Sequence, residues 1–191
     1  MGKVKWTENL NRKGCFAFLV FLAAFWGDTS FAVERLKASG DVKIGAQAPG
    51  LSGWGLNNKV LDLKKFLPET GAKYVLVTFF ATWCMPCREG LKALNEAKGA
   101  LKERGVGVLA VDVGEGKEKV SEFMKHIDVD MPVLLDEFQE SAQSFGIGAS
   151  GKDTKDIKLP RSFLIGSDMK IRAIYGKEGK DFVDAIIKDC R

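Results

Sequence analysis

Two cysteines separated by two residues are the side chains in this sequence best placed to do chemistry. Cys84 and Cys87 follow a run of β-branched and aromatic residues at 74–80, which predicts a buried strand, and they open a helical pattern at 86–102. Residues three apart share one face of a helix, so the two sulfurs lie within reach of a disulfide. This arrangement is typical of thiol–disulfide exchange, in which one thiolate attacks a target disulfide and a second thiol resolves the mixed disulfide.

The start of a helix favours ionisation of the first cysteine. Free N–H groups and the positive end of the helix dipole stabilise a thiolate at Cys84, and Arg88 adds positive potential in the first turn. Pro86 lies where a helix tolerates the loss of an N–H, and it keeps the turn rigid. We therefore expect Cys84 to attack and Cys87 to resolve, with their disulfide as the redox group and no separate cofactor.

Two plainer explanations of the pair have to be weighed. A Cys-x-x-Cys pair is half of many zinc sites, but structural zinc takes four ligands, and only His126 and Cys190 remain, on distant segments. We therefore expect no metal. A purely structural disulfide does not explain why the pair stands at a strand-to-helix junction beside Trp83. We expect His126 to be a surface or half-buried residue and Cys190 to be a bystander thiol, with a second redox centre or an intermolecular bridge as the alternatives.

The first 32 residues have the layout of a secretory signal peptide. Basic residues are followed by an apolar stretch at 15–26 and by a small-residue triplet at 30–32, after which we expect cleavage. The apolar stretch of 12 residues is shorter than the roughly 20 that span a bilayer as a helix, and an uncleaved membrane anchor is the alternative. In either case we expect a periplasmic or other extracytoplasmic protein, with a linker at 33–43 and one domain at 44–191.

The composition limits the remaining function classes. The chain has 191 residues, of which 46% are hydrophobic and 28% charged, enough for one domain with a full core. Its formal net charge of +4 is spread along the whole length, and no Lys/Arg block is interleaved with aromatic residues, so we expect no nucleic-acid partner. Loss of the leader leaves three of the four cysteines, an odd number that argues against a framework of stapling disulfides.

Alternating strand and helix patterns predict an α/β fold. A hairpin that turns at Asn57 and Asn58 comes first, and the order after it is β-α-β-α-β-α-β-β-α. Alternation that ends in a hairpin implies a central mixed β-sheet flanked by helices on both faces. The polar segment at 148–158 has no apolar period, which predicts a loop. The predicted strands are 74–80, 105–113, 133–135, 161–165 and 170–175, and the predicted helices are 86–102, 120–127, 138–145 and 180–189.

The cysteine segment and its surroundings resemble a known family. Residues 83–87 (Trp-Cys-Met-Pro-Cys) are similar to the W-C-x-P-C active site of thioredoxin-like proteins. Over 44–188 the chain resembles the exported TlpA/ResA-type thiol-disulfide oxidoreductases associated with cytochrome c maturation. The resemblance implies a thioredoxin-like fold with an N-terminal β-hairpin extension. The strings that carry it are 48–49, 75–80, 111–115, 132–136 and 159–165.

The resemblance also implies how a substrate docks. Pro160 stands where the family has a cis-proline that faces the cysteine pair, and the backbone of Leu159 would pair there with an extended substrate segment. Trp83, Met85 and Pro86 would form an apolar platform around the exposed sulfur. The alternatives are an ordinary trans proline at position 160 and a place in the core for Trp83.

Three departures from the family pattern bear on the chemistry. Thr78 holds the place of the buried Asp that thioredoxins usually carry on the strand before the motif. ResA-like proteins have a Glu three residues after the second cysteine, where this chain has Gly90, with Glu89 one position early. The proton acceptor of Cys87 therefore stays open, with Arg88 and Glu89 as candidates that tune the thiol pKa. The segment at 148–158 is also longer than the family's usual connection.

The resemblance implies a protein-disulfide reductase. Its substrate would be a protein disulfide, with apocytochrome c as the family's example, and its electrons would come from a membrane thiol-disulfide protein; we expect a monomer. Two rivals remain. A redoxin-type thiol peroxidase carries Pro-x-x-x-Thr-x-x before its attacking Cys, but Val77 and Ala81 stand at those places here. A non-catalytic thioredoxin-like binding module would not need an intact cysteine pair.

Overall fold

The computed structural model describes residues 42–148, 157–179 and 181–190. The predicted leader and all but the last two residues of the predicted linker lie outside these ranges. No helix within them is both long enough and apolar enough to cross a bilayer. The elements of the described part are β1 Ser52–Trp54, β2 Val60–Asp62, α1 Leu63–Thr70, β3 Tyr74–Phe80, α2 Met85–Glu96, α3 Lys98–Glu103, β4 Val106–Val113, α4 Lys117–His126, β5 Val133–Asp136, α5 Glu140–Ser144, β6 Arg161–Gly166, β7 Ile171–Tyr175 and α6 Phe182–Asp189.

Strand β3 is the centre of a five-stranded mixed sheet. The strand order is β5-β4-β3-β6-β7, and β3 pairs in parallel with β4 and antiparallel with β6. β5 is parallel to β4, whereas β7 is antiparallel to β6. Parallel neighbours need a crossover connection, which α2 and α3 provide between β3 and β4, and α4 between β4 and β5. The predicted mixed sheet is confirmed.

Side chains of β3 alternate between two cores, one on each face of the sheet. Phe79 points to the face covered by α1 and α5, where its ring centroid lies 5.1 Å from that of Phe145 and 5.9 Å from that of Phe163. Leu76 and Phe80 point the other way and pack with α2, α4 and α6. We call this second side the α2 face. Helices on both faces were predicted, and the structure confirms them.

Helix α1 is an element that the sequence pattern did not predict. Pro68 lies inside it, and an interior proline argues against a helix because it removes one hydrogen bond of the ladder. The side chain of Asp62 caps the start by accepting the Lys65 N–H at 3.1 Å, and Phe66 and Leu67 are buried. Capping and burial against the sheet therefore outweigh the proline. A second difference is that the predicted helix at 86–102 is divided into α2 and α3.

The predicted N-terminal hairpin is present and stands beside the main sheet. β1 and β2 pair antiparallel, and Asn58 in their connection has a φ of 58°, a left-handed conformation that Asn tolerates. Gly55 forms a bridge to Leu134, and the Leu56 N–H donates to the Val133 carbonyl at 3.2 Å. The hairpin is thereby attached to β5, the edge strand of the sheet.

The aromatic cluster around Phe79 predicts where the fold is most sensitive. Phe79 has no exposed surface, whereas Phe138 is 81% exposed. We expect Phe79→Ala to lower the free energy of unfolding by about 3–5 kcal/mol, because it leaves a cavity between three packed rings, and Phe138→Ala to change it by less than about 0.5 kcal/mol. Denaturant unfolding of the oxidised protein measures both. Equal costs for the two variants would contradict this account of the core.

Candidate active site

The junction between β3 and α2 positions both cysteines. The chain leaves β3 at Phe80, turns through a hydrogen bond from the Cys84 N–H to the Ala81 carbonyl (3.0 Å) and enters α2 at Met85. Cys84 is the N-cap residue, and its sulfur accepts the Cys87 N–H at 3.3 Å. The predicted helix start is confirmed. A thiolate at position 84 therefore faces the free N–H groups and the positive dipole end of α2.

The two cysteines are bonded to each other and differ in their surroundings. Cys84 and Cys87 form a disulfide with an S–S distance of 2.01 Å and Cα atoms 5.3 Å apart. Cys87 has no exposed surface and Cys84 is 5% exposed, but its neighbours Trp83 and Met85 are 53% and 64% exposed. Pro86 is also exposed. The exposed surface beside the pair therefore lies on the Cys84 side and is apolar, and Trp83 is not a core residue.

A second loop meets the pair from β6. The Leu159–Pro160 bond is cis, as the resemblance implies. The next residue, Arg161, pairs with Phe79 near the end of β3, so this loop lies at the same end of the sheet as the cysteines. Leu159 is half-buried and packs against the apolar cluster that contains both cysteines. The structure thus brings together segments 83–87 and 159–160, which are far apart in sequence.

Glu115 holds the turn that precedes Cys84. Its carboxylate accepts both the N–H of Thr82 and, at 2.7 Å, the Thr82 hydroxyl, and it forms an ion pair with Lys119. Burial opposes ionisation of Glu115, but the bonds from Lys119 and Thr82 outweigh it, so the pKa of Glu115 is lowered. An ionised Glu115 therefore fixes the backbone two residues before the sulfur that opens α2.

Asp112 is a buried carboxyl next to this anchor. It pairs with Phe80 across the β3–β4 register, and its Oδ2 accepts the Glu115 N–H at 3.0 Å. Its Oδ1 has no hydrogen-bond partner among the described residues. Burial, followed by the charge of Glu115, raises the pKa of Asp112 to about 8. Asp112 is therefore mostly protonated at neutral pH.

Glu178 is a second buried carboxyl on the α2 face. It comes from the loop between β7 and α6, is 7% exposed, and accepts the hydroxyls of Thr78 (2.9 Å) and Ser162 (2.6 Å) through Oε1. Its Oε2 reaches α2, because a Cβ built on Gly90 would lie 1.9 Å from it. Burial raises the pKa of Glu178 to about 7, although the two hydroxyls oppose the shift.

Sequence reasoning identified the surroundings of Glu178 but missed the residue itself. Thr78 and Gly90 are departures from the family pattern at two places where the family carries acidic side chains. Glu178 stands in a charged, glycine-flanked stretch that resembles a solvated turn, 100 residues from Thr78. The available signal was the pair of departures, because small or neutral residues at both places leave room for a carboxyl from elsewhere in the chain.

The remaining candidates lie apart from this group. Arg88 is half-buried on α2, and Glu89 is exposed there. His126 is exposed at the end of α4, and the half-buried thiol of Cys190 donates to the Ile186 carbonyl at 3.0 Å. Most of the predicted loop at 148–158 lies outside the described residues. Within the described ranges no three His, Cys, Asp or Glu side chains gather into a group that could hold a metal ion.

Comparison with known proteins identifies the family. Residues 44–174 match the AhpC/TSA family. A ResA thiol-disulfide oxidoreductase of Bacillus thuringiensis subsp. konkukian (strain 97-27) is 33% identical over 148 residues, which cover 77% of this chain and 78% of that protein. The chain belongs to the AhpC/TSA family, in its ResA-type branch. This ResA-type protein is a thiol-disulfide oxidoreductase.

Solved structures place this ResA-type protein in the thioredoxin-like fold. The thioredoxin domain of a thiol-disulfide oxidoreductase from Bacteroides vulgatus has a TM-score of 0.63 at 22% identity, over 78% of this chain and 99% of that chain. Peroxidoxin BcpB from Mycobacterium tuberculosis has a TM-score of 0.68 at 17% identity, over 78% of this chain and 96% of that chain. At these identities both similarities concern the fold alone.

The raised pKa of Asp112 predicts how stability depends on pH. The unfolded chain releases this proton above about pH 4 and the folded protein only near pH 8, so the folded state binds more protons between these values. This contribution to stability is complete at low pH and is lost as the pH rises to about 8. The Asp112→Asn variant lacks this contribution. The difference in free energy of unfolding, variant minus wild type, should therefore increase with pH, by at most about 1.4 kcal/mol per pH unit.

Denaturant unfolding at several pH values tests this expectation. The exposed Asp130, changed to Asn, is the matched control and should give a curve parallel to wild type over the whole range. If the curve of unfolding free energy against pH for Asp112→Asn is also parallel to that of wild type between pH 4 and 8, Asp112 does not hold its proton in the folded state.

Proposed function

We propose that this chain is an exported protein-disulfide reductase in which Cys84 attacks the target disulfide and Cys87 resolves the mixed disulfide. The observation that carries the proposal is the asymmetry of the pair. Cys84 caps α2 between two exposed apolar side chains, whereas Cys87 is fully buried one turn further on. The thiol that reaches a macromolecular partner is therefore the one whose thiolate the helix stabilises.

The reaction balances with two thiols and one target disulfide. The Cys84 thiolate bonds to one sulfur of the target and expels the other sulfur as a thiolate. Cys87 then loses its proton, bonds to the Cys84 sulfur and expels the first target sulfur. The target gains two electrons, and the protein is left with the Cys84–Cys87 disulfide. A membrane thiol-disulfide protein would return the electrons.

The exposed surface around Cys84 is the proposed docking site. Trp83, Met85 and Pro86 offer an apolar platform, and the backbone of Leu159 beside cis Pro160 offers a strand edge to an extended substrate segment. Such a site recognises main chain and apolar side chains more than any one sequence. This fits an enzyme that reduces disulfides in other proteins. Apocytochrome c is the example of such a substrate that the family resemblance offers.

Export and the reducing direction rest on sequence. The basic, apolar and small-residue order of the first 32 residues supports export by a signal peptide or an uncleaved anchor. The reducing direction and the monomeric state are proposed from the resemblance of the sequence to the TlpA/ResA-type family. The direction of electron transfer depends on the reduction potentials of the protein and its partners. For a two-electron couple, a difference of 30 mV between them corresponds to about 1.4 kcal/mol.

A trapping experiment tests the assignment of the two thiols. Cys87→Ser should accumulate a mixed disulfide between Cys84 and its natural partner in extracytoplasmic extracts, because the resolving thiol is gone. Cys84→Ser is the matched control and should trap nothing, since Cys87 is buried. Mass spectrometry of the trapped species identifies the partner. Equal trapping by both variants would contradict the roles assigned to them.

Turnover assays separate the reductase from its rivals. The purified domain should reduce insulin disulfides, and Cys84→Ser should lower this rate to the uncatalysed level. A binding module would show no such turnover in the wild type. A thiol peroxidase would instead consume hydrogen peroxide with thiol reductants faster than it reduces insulin, an outcome that would overturn the reductase proposal.

The apolar platform predicts a specific kinetic effect. Trp83→Ala should raise the KM for a protein disulfide by about tenfold, the loss expected for a large exposed contact side chain, with kcat nearly unchanged. Phe138→Ala is the control, because Phe138 is another highly exposed aromatic residue that lies outside the proposed docking site. Steady-state kinetics with a disulfide-containing peptide measures both. A fall in kcat with KM unchanged would show that Trp83 acts on the chemistry and not on docking.

A further inference from the structure

The resolving step needs a proton acceptor that the sequence motif does not provide. Cys87 has no exposed surface, so bulk water does not reach its thiol directly. The nearest acidic residue in the sequence after Cys87 is Glu89, which is exposed on α2. An acceptor for the Cys87 proton therefore has to come from another element that packs on the α2 face.

Glu178 meets the geometric requirement. The position that a Cβ on Gly90 would occupy lies 1.9 Å from Glu178 Oε2 and 2.7 Å from Glu178 Cβ, so the Glu178 side chain fills the space beside α2 at this turn. Gly90 follows Cys87 by three residues, and side chains at this spacing have Cβ atoms about 5–6 Å apart. One carboxylate oxygen is therefore placed about one helical turn from the resolving thiol.

The same oxygen is available for a proton. Glu178 Oε1 accepts two hydroxyl groups, from Thr78 and Ser162, whereas Oε2 is buried without a hydrogen-bond partner among the described residues. A buried carboxyl oxygen without a partner is costly, and so is a glycine inside a helix, at about 0.5–1 kcal/mol relative to alanine. Neither feature is explained by stability. Both are explained if the free oxygen has a task at α2.

We propose that Glu178 is the general base that accepts the Cys87 proton when Cys87 attacks the Cys84 sulfur, directly or through one water molecule. In that step the S–H bond of Cys87 breaks, the proton moves to Glu178 Oε2, and the Cys87 sulfur displaces the target thiolate from Cys84. When the membrane donor reduces the disulfide, Glu178 returns the proton to Cys87. The inference rests on the proposed function, because it takes Cys87 as the resolving thiol.

The electrostatic surroundings suit this role. Burial brings the pKa of Glu178 to about 7, near the pH at which a general base exchanges protons most effectively. The upward shift of the Glu178 pKa comes from burial, the two hydroxyls oppose it, and no charged side chain contributes. Among the described residues, the charged side chains next to its contacts are half-buried or exposed: Arg88 and Glu89 on α2, Arg161 on β6, and Lys177 and Asp181 beside it in the chain.

Asp112 is another buried carboxyl on this face, and its contacts favour a different role. Its Oδ2 accepts the Glu115 N–H, and Glu115 in turn holds Thr82, so Asp112 belongs to the anchor of the turn before Cys84. Glu178 forms no hydrogen bond with the residues of that anchor. Its side chain instead reaches α2 beyond Cys87. The two carboxyls are therefore separable by mutation.

Stopped-flow reaction of the reduced protein with 5,5′-dithiobis(2-nitrobenzoate) resolves the two steps. Release of the first equivalent of thionitrobenzoate reports attack by Cys84, and its rate depends on reagent concentration. Release of the second equivalent reports resolution by Cys87, and its rate is independent of reagent concentration. Glu178→Gln keeps an oxygen acceptor for the Thr78 and Ser162 hydroxyls but cannot take a proton. It should slow the second phase about 100-fold at pH 7 and leave the first phase within about twofold of wild type.

The pH profile distinguishes a general base from a structural residue. In wild type the rate of the second phase should rise with pH and level off above about pH 7, where Glu178 is ionised. In Glu178→Gln it should keep rising toward the pKa of an ordinary thiol, about 8.5. Glu96→Gln, at an exposed position further along α2, is the matched control and should behave as wild type. In Asp112→Asn this phase should keep the pH dependence of wild type.

Relocating the carboxyl gives a second test that does not depend on Glu178→Gln folding. Glu178→Gly removes the three atoms that obstruct position 90, namely Oε2, Cδ and Cβ of Glu178. The second phase should therefore be about tenfold faster in Glu178→Gly combined with Gly90→Glu than in Glu178→Gly alone. Equal second phases in wild type and Glu178→Gln at every pH, a slowed phase in Asp112→Asn instead, or no recovery in the double variant would overturn the role of Glu178. Absence of the first phase in wild type would overturn the proposed function itself.

Discussion

The structure depends on one junction, at which a fully buried strand ends and a helix begins with a cysteine as its cap. β3 is enclosed by neighbours on both edges and both faces, so the position of its last residue, Phe80, is fixed by the core. The Cys87 N–H in the first turn of α2 then donates to the sulfur of Cys84, which lies at the positive end of the helix dipole. Any looseness in the turn would move the sulfur away from the helix dipole, and Glu115 prevents this by binding Thr82 through both its N–H and its hydroxyl.

Buried carboxyl groups near the thiol pair are the second consequence of this arrangement. A protein that only needed stability would avoid them, because an ionisable group in an apolar core carries a desolvation cost. Here Asp112 and Glu178 both have raised pKa values for the same first reason, burial on the α2 face. Their partners separate them: Asp112 is tied to the backbone of Glu115, whereas Glu178 joins two strands through hydroxyls and extends to Gly90.

The fold by itself does not distinguish the possible activities. A peroxidoxin and a thiol-disulfide oxidoreductase share this fold with the chain at similar TM-scores. The side chains around the first cysteine decide between them, because a peroxide site needs a Thr and a Pro where this chain has Ala81 and Val77, and disulfide exchange needs a resolving thiol in reach. Cys87, bonded to Cys84 in the structure, fulfils the second condition.

The sequence by itself determined the sheet, its helices and the cysteine pair at the start of α2, because these follow from local periodicity and spacing. It did not predict α1, since Pro68 hides a helix that burial of Phe66 and Leu67 stabilises. It also left open the acidic group near Cys87. Only the tertiary structure decided this, because Glu178 comes from a turn after β7 that resembles solvent-exposed loop in its local sequence. Packing of that turn against the glycine of α2 gives the carboxyl its burial, its raised pKa and its position, and none of these is encoded by neighbours in the chain.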